Sequence, residues 1–227
     1  MTRSEIDSGA ENPLCRDDLA AGSERFARMR AQMAGLMWTD DQLNASLART
    51  LRRRPPGDVW LFAYGSLIWN PLFPVAEERV ARVHGLHRAF CIWTRIGRGT
   101  PERPGLVLGL DAGGSCQGVV LRLASHLVQA ELALVWRREM LTGAYRPTWV
   151  RAHTEHGIVD AIAFVANRRG ASYAGRLPEA DVVRIMGDAR GLLGTCAGYL
   201  RQTSEGLSAR GIRDAALRRL LTRIDAA

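Results

Sequence analysis

The 227-residue sequence contains no lysine: all 31 of its basic side chains are arginine. Schiff-base chemistry and the lysine of a phosphate-binding loop are thereby excluded. Cysteine is also scarce, and Cys15, Cys91, Cys116 and Cys196 lie far apart, with none of the close pairs of a zinc ribbon or a redox C-x-x-C motif. They are read as reduced thiols. No apolar run approaches the ~20 residues that span a bilayer, and MTRSEIDSGAENPLCRDD at the start lacks the apolar segment of a secretory signal. The expectation is a cytoplasmic protein with no membrane partner.

His84/His87 and His153/His156 each have H-x-x-H spacing. Both pairs sit in strand-like stretches, where positions three apart point to opposite faces, which favours surface or hydrogen-bonded histidines over metal ligands. No metal site is expected. The formal charge of +8 and isoelectric point near 10.3 invite a nucleic-acid reading. Yet Arg52-Arg53-Arg54 falls at an apparent helix end, where cations suit the dipole, and basic and aromatic residues do not interleave as in an RNA-binding sheet. No nucleic-acid partner is expected either.

What is present is a chain long enough for one domain with an extension, 47% hydrophobic and 24% charged, the composition of a globular protein. Residues 1 to about 38 read as irregular or weakly helical, with Phe26, Met29, Met33 and Met37 spaced to lay one side on the body. A clearer helix follows: Thr39-Asp-Asp-Gln42 fits a capping box, Leu43, Leu47 and Leu51 recur every fourth residue, and Pro55-Pro56-Gly57 ends the run. We therefore divide the chain into a helical extension, 1–57, and a main domain with C-terminal helices, 58–227. Strands are expected at 59–64, 80–92, 106–110, 118–123, 148–153 and 158–165, with one helix at 126–142 between Ser125 as N-cap and Gly143 as the residue past its end. Further helices are expected at 180–189, 193–203 and 208–224. Regular strand and helix alternation is missing, so a doubly wound parallel sheet is excluded. The fold class is α+β, a mixed and strongly curved sheet or small barrel with surrounding helices.

Two features carry chemical interest. The stretch Trp60-Leu-Phe-Ala-Tyr-Gly-Ser-Leu-Ile-Trp-Asn-Pro71 is apolar for half its length and then breaks at Gly65-Ser66. Such a break is either a plain turn or a strand end that holds a ligand with its backbone. The second feature is Glu139. At ~100° per residue, Val128, Leu132, Val135 and Glu139 fall in one narrow stripe, so a carboxylate ends an apolar face in the last helical turn. It either pairs with a nearby arginine, or is desolvated beside the dipole and serves as a proton acceptor and donor.

WLFAYGSLIWNPLF, HGLHRAFCIWTRIGRGTPERPGLVLGLD, GGSCQGVVLRL and WRREMLTGAYRPTWV, in that order, resemble the blocks of the ChaC family, the glutathione-specific γ-glutamylcyclotransferases. The resemblance runs from about Trp38 to about Tyr199. It implies a compact mixed sheet or barrel and a cofactor-free reaction on a γ-glutamyl peptide, glutathione. It also implies that the turn Phe62, Ala63, Tyr64, Gly65, Ser66 and Leu67 binds the γ-glutamyl group and that Glu139 is the proton acceptor, with Tyr145 and Tyr199 near the pocket. Ala63 stands where the family more often has Gly, and Cys196 where it often has Asn.

The implied chemistry suits these residues. The α-amine of glutathione closes onto its own γ-carbonyl, giving 5-oxoproline and releasing Cys-Gly, so no enzyme nucleophile is required. That amine, protonated below a reference pKa of ~8, must first lose a proton, which Glu139 would take and return to the departing nitrogen. Amides of the 64–67 turn would hold the α-carboxylate or the developing oxyanion. Ser66 has no His/Asp partnership at motif level and is read as a turn or ligand-bonding residue. Tyr64 has an alternative as a core aromatic with a satisfied hydroxyl. Arg95, Arg98 and Arg103, in a Gly- and Pro-punctuated loop, either attract a peptide with two carboxylates or decorate a solvated surface. Two other readings stand beside the main one: a cyclotransferase for other γ-glutamyl peptides or amines, and a non-catalytic basic regulatory or binding protein on an enzyme-like fold.

Overall fold

The computed structural model describes residues 11–20, 23–32, 35 and 37–226. In chain order these form α1 (Arg16–Leu19), α2 (Glu24–Gln32), α3 (Asp40–Leu51), β1 (Trp60–Ala63), a 3-10 turn (Ser66–Ile68), β2 (Val75–Thr94), β3 (Gly105–Leu123), a 3-10 turn (Ser125–Leu127) running into α4 (Val128–Glu139), β4 (Tyr145–Thr154), β5 (Gly157–Ala166), α5 (Glu179–Asp188), the small hairpin β6 (Arg190–Gly191) and β7 (Gly194–Thr195), α6 (Cys196–Ser208) and α7 (Ala215–Asp225).

β1 to β5 close into a mixed barrel in the order β1-β3-β2-β4-β5. The seam is parallel, Trp60 opposite Ala161 and Leu61 opposite Ile162, whereas β1–β3, β3–β2, β2–β4 and β4–β5 are antiparallel. β1 lies between two strands and is buried at every residue, which explains why it reads as an unbroken apolar run. β2 instead alternates over its first half, the pattern of a strand with one wet face. The mixed-barrel expectation therefore holds.

Several element boundaries differ from the sequence reading. The strands expected at 106–110 and 118–123 are one 19-residue strand, β3, paired along most of its length with a 20-residue β2. From sequence Gly113 and Gly114 suit a strand bend or a tight turn; with φ of 100° and 68°, opposite Gly85 at 79°, they form a bulge where the register slips between His84 and Leu86. Glycines at positive φ let both strands bend without ending. α4 stops at Glu139, three residues early, with Met140 as its cap residue, and Ser125 starts a 3-10 turn in place of capping the helix. α6 runs through the expected break at 203 to Ser208. α7 begins only at Ala215, because Asp214 caps it, its carboxylate accepting from the amides of Ala216 and Leu217.

The helical lead-in is packed on the barrel. The Thr39/Gln42 capping box forms with both bonds in place, at 3.2 and 2.8 Å. Leu43 and Leu47 enter the main core, and Phe26 and Met29 join Leu14, Leu19, Leu72 and Leu141 in a second cluster against which Met37 packs. Met33 lies outside the described residues. Arg16 forms a two-pronged pair with the buried Glu131 of α4, and the Asn70 amide donates to the Leu14 carbonyl at 2.8 Å. These contacts fix the extension across one end of the barrel, beside α4 and the turn after β1.

Candidate active site

At this end lies a cavity of about 510 Å³. Ser66, Trp69 and Asn70 line it from the turn after β1, Arg138 and Glu139 from the end of α4, and Tyr145 from the start of β4. Residues 92–98 at the end of β2, Tyr199 on α6, and Pro13, Leu14 and Met29 of the lead-in form further parts of the wall. A larger groove of about 770 Å³ lies elsewhere, around Asp111, Arg168, Tyr173 and Glu179. Its two acids are already paired, Asp111 with Tyr173 and Arg168 and Glu179 with Arg219 and Arg223, and of the residues singled out from sequence it contains only His87. The smaller cavity is therefore where chemistry can be placed.

Glu139 continues the buried stripe of Val128, Leu132 and Val135 into this cavity, its side chain only 13% exposed. Its partner is the adjacent residue. Arg138 donates from Nε to Glu139 Oε1 at 2.8 Å, with Nη2 2.7 Å from the same oxygen, and donates from Nη1 to the Asn70 carbonyl at 2.6 Å. Nη2 is buried and makes no well-aligned hydrogen bond. The guanidinium thus ties the acid-bearing helix end to the loop that follows the Gly65-Ser66 break, and both close contacts fall on one carboxylate oxygen. Neighbours in sequence do not face each other inside a helix. They meet here because Glu139 is the last helical residue and the backbone departs at Met140 (φ −100°, ψ 4°).

The break itself is a strand end turned sharply by Gly65, after which the Ile68 amide donates back to the Gly65 carbonyl at 3.0 Å. A Cβ on Gly65 would stand 2.9 Å from the Tyr199 hydroxyl, so this glycine is what lets the turn and Tyr199 approach. Arg88 holds the strand end from below. Its Nε donates to the Tyr64 carbonyl at 2.7 Å, Nη2 donates to the Gln117 carbonyl at 2.6 Å, and Nη1 pairs with Asp214. Phe62, Ala63, Tyr64 and Leu67 are buried, and their side chains pack in the core. Ser66, Glu139, Tyr145 and Tyr199 share the cavity wall.

Three tyrosines surround the acid, and burial pushes all three phenols above their ordinary range. For Tyr64 and Tyr145 the nearby Tyr and Glu139 charges add to the effect of burial. For Tyr199 a backbone hydrogen bond at Leu108 opposes burial without cancelling it. Tyr64 donates to the Phe164 carbonyl at 2.6 Å and Tyr145 to the Leu108 carbonyl at 2.7 Å. Across the neutral range Tyr145 and Tyr199 are neutral parts of the wall and Tyr64 a neutral core donor, not acids that ionise there.

The loop arginines separate. Arg98 is buried, paired with Glu11, and donates to the Thr195 carbonyl at 3.1 Å. Arg95 lines the cavity, and Arg103 is exposed away from it. Cys196 does not face the cavity. It sits behind the loop, accepting from the Leu106 amide at 3.3 Å and donating to the Arg98 carbonyl at 3.0 Å, and burial pushes its thiol up to about 11. His84 and His153 meet edge to face across β2 and β4, and among the described residues no three His, Cys, Asp or Glu side chains gather as a metal site. Asn70, Pro13 and Leu14 escaped the sequence reading, whereas the pairing of Glu139 with a nearby arginine was one of its two alternatives, and Arg138 is that arginine. The Arg-Glu adjacency was visible, but helical geometry argues against such a pair.

A closed mixed barrel with flanking helices and a cavity at the strand ends is the γ-glutamylcyclotransferase fold. A solved structure of a yeast γ-glutamyl cyclotransferase specific to glutathione superimposes with a TM-score of 0.70 at 19% identity, over 75% of this chain and 97% of that one. The chain belongs to the ChaC-like protein family, whose model matches residues 59–227. It is 40% identical to the glutathione-specific γ-glutamylcyclotransferase of Escherichia coli K12 over 191 residues, 83% of each chain. It is also 30% identical to glutathione-specific γ-glutamylcyclotransferase 1 of Mus musculus over 155 residues, 66% of this chain and 70% of that one.

Proposed function

We propose that this protein is a γ-glutamylcyclotransferase that degrades glutathione to 5-oxoproline and Cys-Gly. The observation that carries the reading is the Glu139 carboxylate, clamped through one oxygen by Arg138 and set in a cavity shared with Ser66, Tyr145 and Tyr199. Glu139 takes a proton from the α-ammonium of the substrate, and the freed amine attacks the γ-carbonyl carbon four bonds away, closing a five-membered ring. The carboxylic acid then returns that proton to the nitrogen of Cys-Gly as the C–N bond breaks. The lactam nitrogen sheds its remaining surplus proton to the regenerated carboxylate, which passes it to the amine of Cys-Gly, so that the dipeptide leaves as an ammonium and Glu139 is a carboxylate again. Every transfer joins the same two nitrogens, so one carboxylate serves them in turn.

The amides of Gly65, Ser66 and Leu67 supply donors for the substrate α-carboxylate or the oxyanion, and the tethering of this turn by Arg88 and Arg138 keeps them in position. Holding the flexible γ-glutamyl arm in attack geometry can contribute up to ~7 to 11 kcal/mol in favourable cases. The names of the E. coli, mouse and yeast relatives support glutathione as the substrate. Free thiols at all four cysteines suit a reducing compartment, the cytoplasm, and no described helix is long and apolar enough to cross a membrane. The test is 5-oxoproline release from glutathione, γ-glutamyl dipeptides and γ-glutamylamines. Turnover of glutathione well above the others is expected, and inactivity on all three classes overturns the reading.

A further inference from the structure

Three arginines line the cavity, and two are neutralised within the protein. Arg98 is paired with Glu11, and Arg138 with Glu139 and the Asn70 carbonyl. Arg95 is different: the residue is half-buried, and among the described residues its guanidinium has no acid, carbonyl or hydroxyl partner. Its backbone, by contrast, is tied down on both sides. The Leu192 and Leu193 amides donate to the Ile96 and Gly97 carbonyls at 2.9 and 2.8 Å, and the Trp93 amide donates to the Ser172 carbonyl at 2.7 Å. A fixed segment therefore presents one unpaired cation to the cavity. Partial burial of a charge without a partner is unfavourable, and an arriving anion relieves it.

On the reading that the substrate is glutathione, we propose that Arg95 is a specificity residue that binds the C-terminal glycine carboxylate of the substrate. Glutathione carries two carboxylates. The α-carboxylate shares its carbon with the amine that must meet Glu139, which confines it to the end of the cavity formed by Glu139 and the Ser66 turn. The glycine carboxylate lies two residues beyond the scissile amide, ~7 Å at the ~3.3 to 3.6 Å that each extended residue spans. The 94–98 segment forms a separate part of the wall from Glu139 and the Ser66 turn, and its other arginine is already balanced by Glu11. Arg95 offers the planar, permanently charged fork that suits a carboxylate. Its role is to favour the complete tripeptide over γ-glutamyl compounds that lack this carboxylate.

The experiment is a four-way comparison: wild type and Arg95→Gln, each with glutathione and with glutathione whose glycine carboxylate is replaced by a carboxamide, read as kcat/KM for 5-oxoproline release. Wild type loses about 10- to 100-fold on the amide, the range set by a charged hydrogen bond. Arg95→Gln loses the same factor on glutathione, and the two losses do not add. Arg95→Lys, which retains the charge, recovers part of the discrimination. Thermal melting of the variants is no lower than that of wild type, since Arg95 bonds nothing within the described protein. If Arg95→Gln lowers both substrates equally, or neither, the assignment of Arg95 falls and the cyclotransferase reading stands. If wild type releases no 5-oxoproline from glutathione, both fall together.

Discussion

Glu139→Gln separates chemistry from structure most cleanly. Glutamine keeps the size of the side chain and an amide oxygen that can still accept from Arg138 Nε, now at 2.8 Å from Oε1, while the Asn70 carbonyl continues to hold Nη1 at 2.6 Å. What disappears is the negative charge and the capacity to exchange a proton. A hydrogen bond to a charged group is worth about 1.5 to 3 kcal/mol and a neutral one about 0.5 to 1.5. The exchange therefore costs about 1 kcal/mol, about 2 to 4 °C of Tm in a domain of this size. General acid–base catalysis contributes about 10² to 10⁴ in rate, equal to about 2.7 to 5.4 kcal/mol of barrier at 1.36 per decade. Steady-state release of 5-oxoproline should accordingly fall at least a hundredfold in kcat. Calorimetric titration of the same variant with glutathione should keep Kd within a few-fold of the wild-type KM. A folded variant with kcat within tenfold of wild type would refute the role assigned to Glu139. Loss of binding in parallel with turnover would show that the residue holds the pocket and not the proton.

Other consequences concern the scaffold. Gly118 lies where an added Cβ would stand 2.3 Å from the Ala63 carbonyl oxygen and 3.0 Å from Phe62 Cζ, so Gly118→Ala should cost about 1 to 3 kcal/mol, read from urea unfolding; an unchanged midpoint contradicts this. Of the four cysteines only Cys15 is exposed, and burial pushes Cys91 up to about 12 and Cys196 up to about 11, so a thiol reagent under native conditions should modify one equivalent, lost in Cys15→Ser. Modification of two or more would contradict the packing around Cys91 and Cys196. The raised phenols of Tyr64, Tyr145 and Tyr199 favour the folded state below the unfolded value of about 10 and cease to do so as pH rises through their folded values. Alkaline difference spectra should show these tyrosines ionising together with unfolding, and a native-state tyrosinate signal from all three near pH 10 would refute it.

Local patterns carried the architecture where one physical rule dominated. The Thr39/Gln42 cap and the apolar run of β1 were legible because each depends on neighbours within a few residues. The β2–β3 ribbon was misread because paired glycines signal both a turn and a bulge. Only Gly85, on the partner strand, decides between them. Glu139 stood out as an acid ending an apolar stripe, and Tyr145 and Tyr199 entered through family resemblance. A nearby arginine was one alternative for the partner of Glu139, but the adjacent Arg138 was not legible as that arginine, because such a bond exists only at a helix end. The anchoring pairs, Arg16 with Glu131 and Arg88 with Asp214, join residues 115 and 126 positions apart, and no local spacing announces them. For the same reason the lead-in read as a weak helix, although Pro13, Leu14 and Met29 form part of the cavity wall.

Turnover of glutathione in water enriched in oxygen-18, followed by mass spectrometry of both products, addresses the self-cyclisation directly. An amine that attacks its own γ-carbonyl yields 5-oxoproline and Cys-Gly in equal amounts with no label in either, and Glu139→Gln suppresses both. Glutamate carrying one heavy oxygen as the initial product would show water to be the nucleophile and would contradict the account.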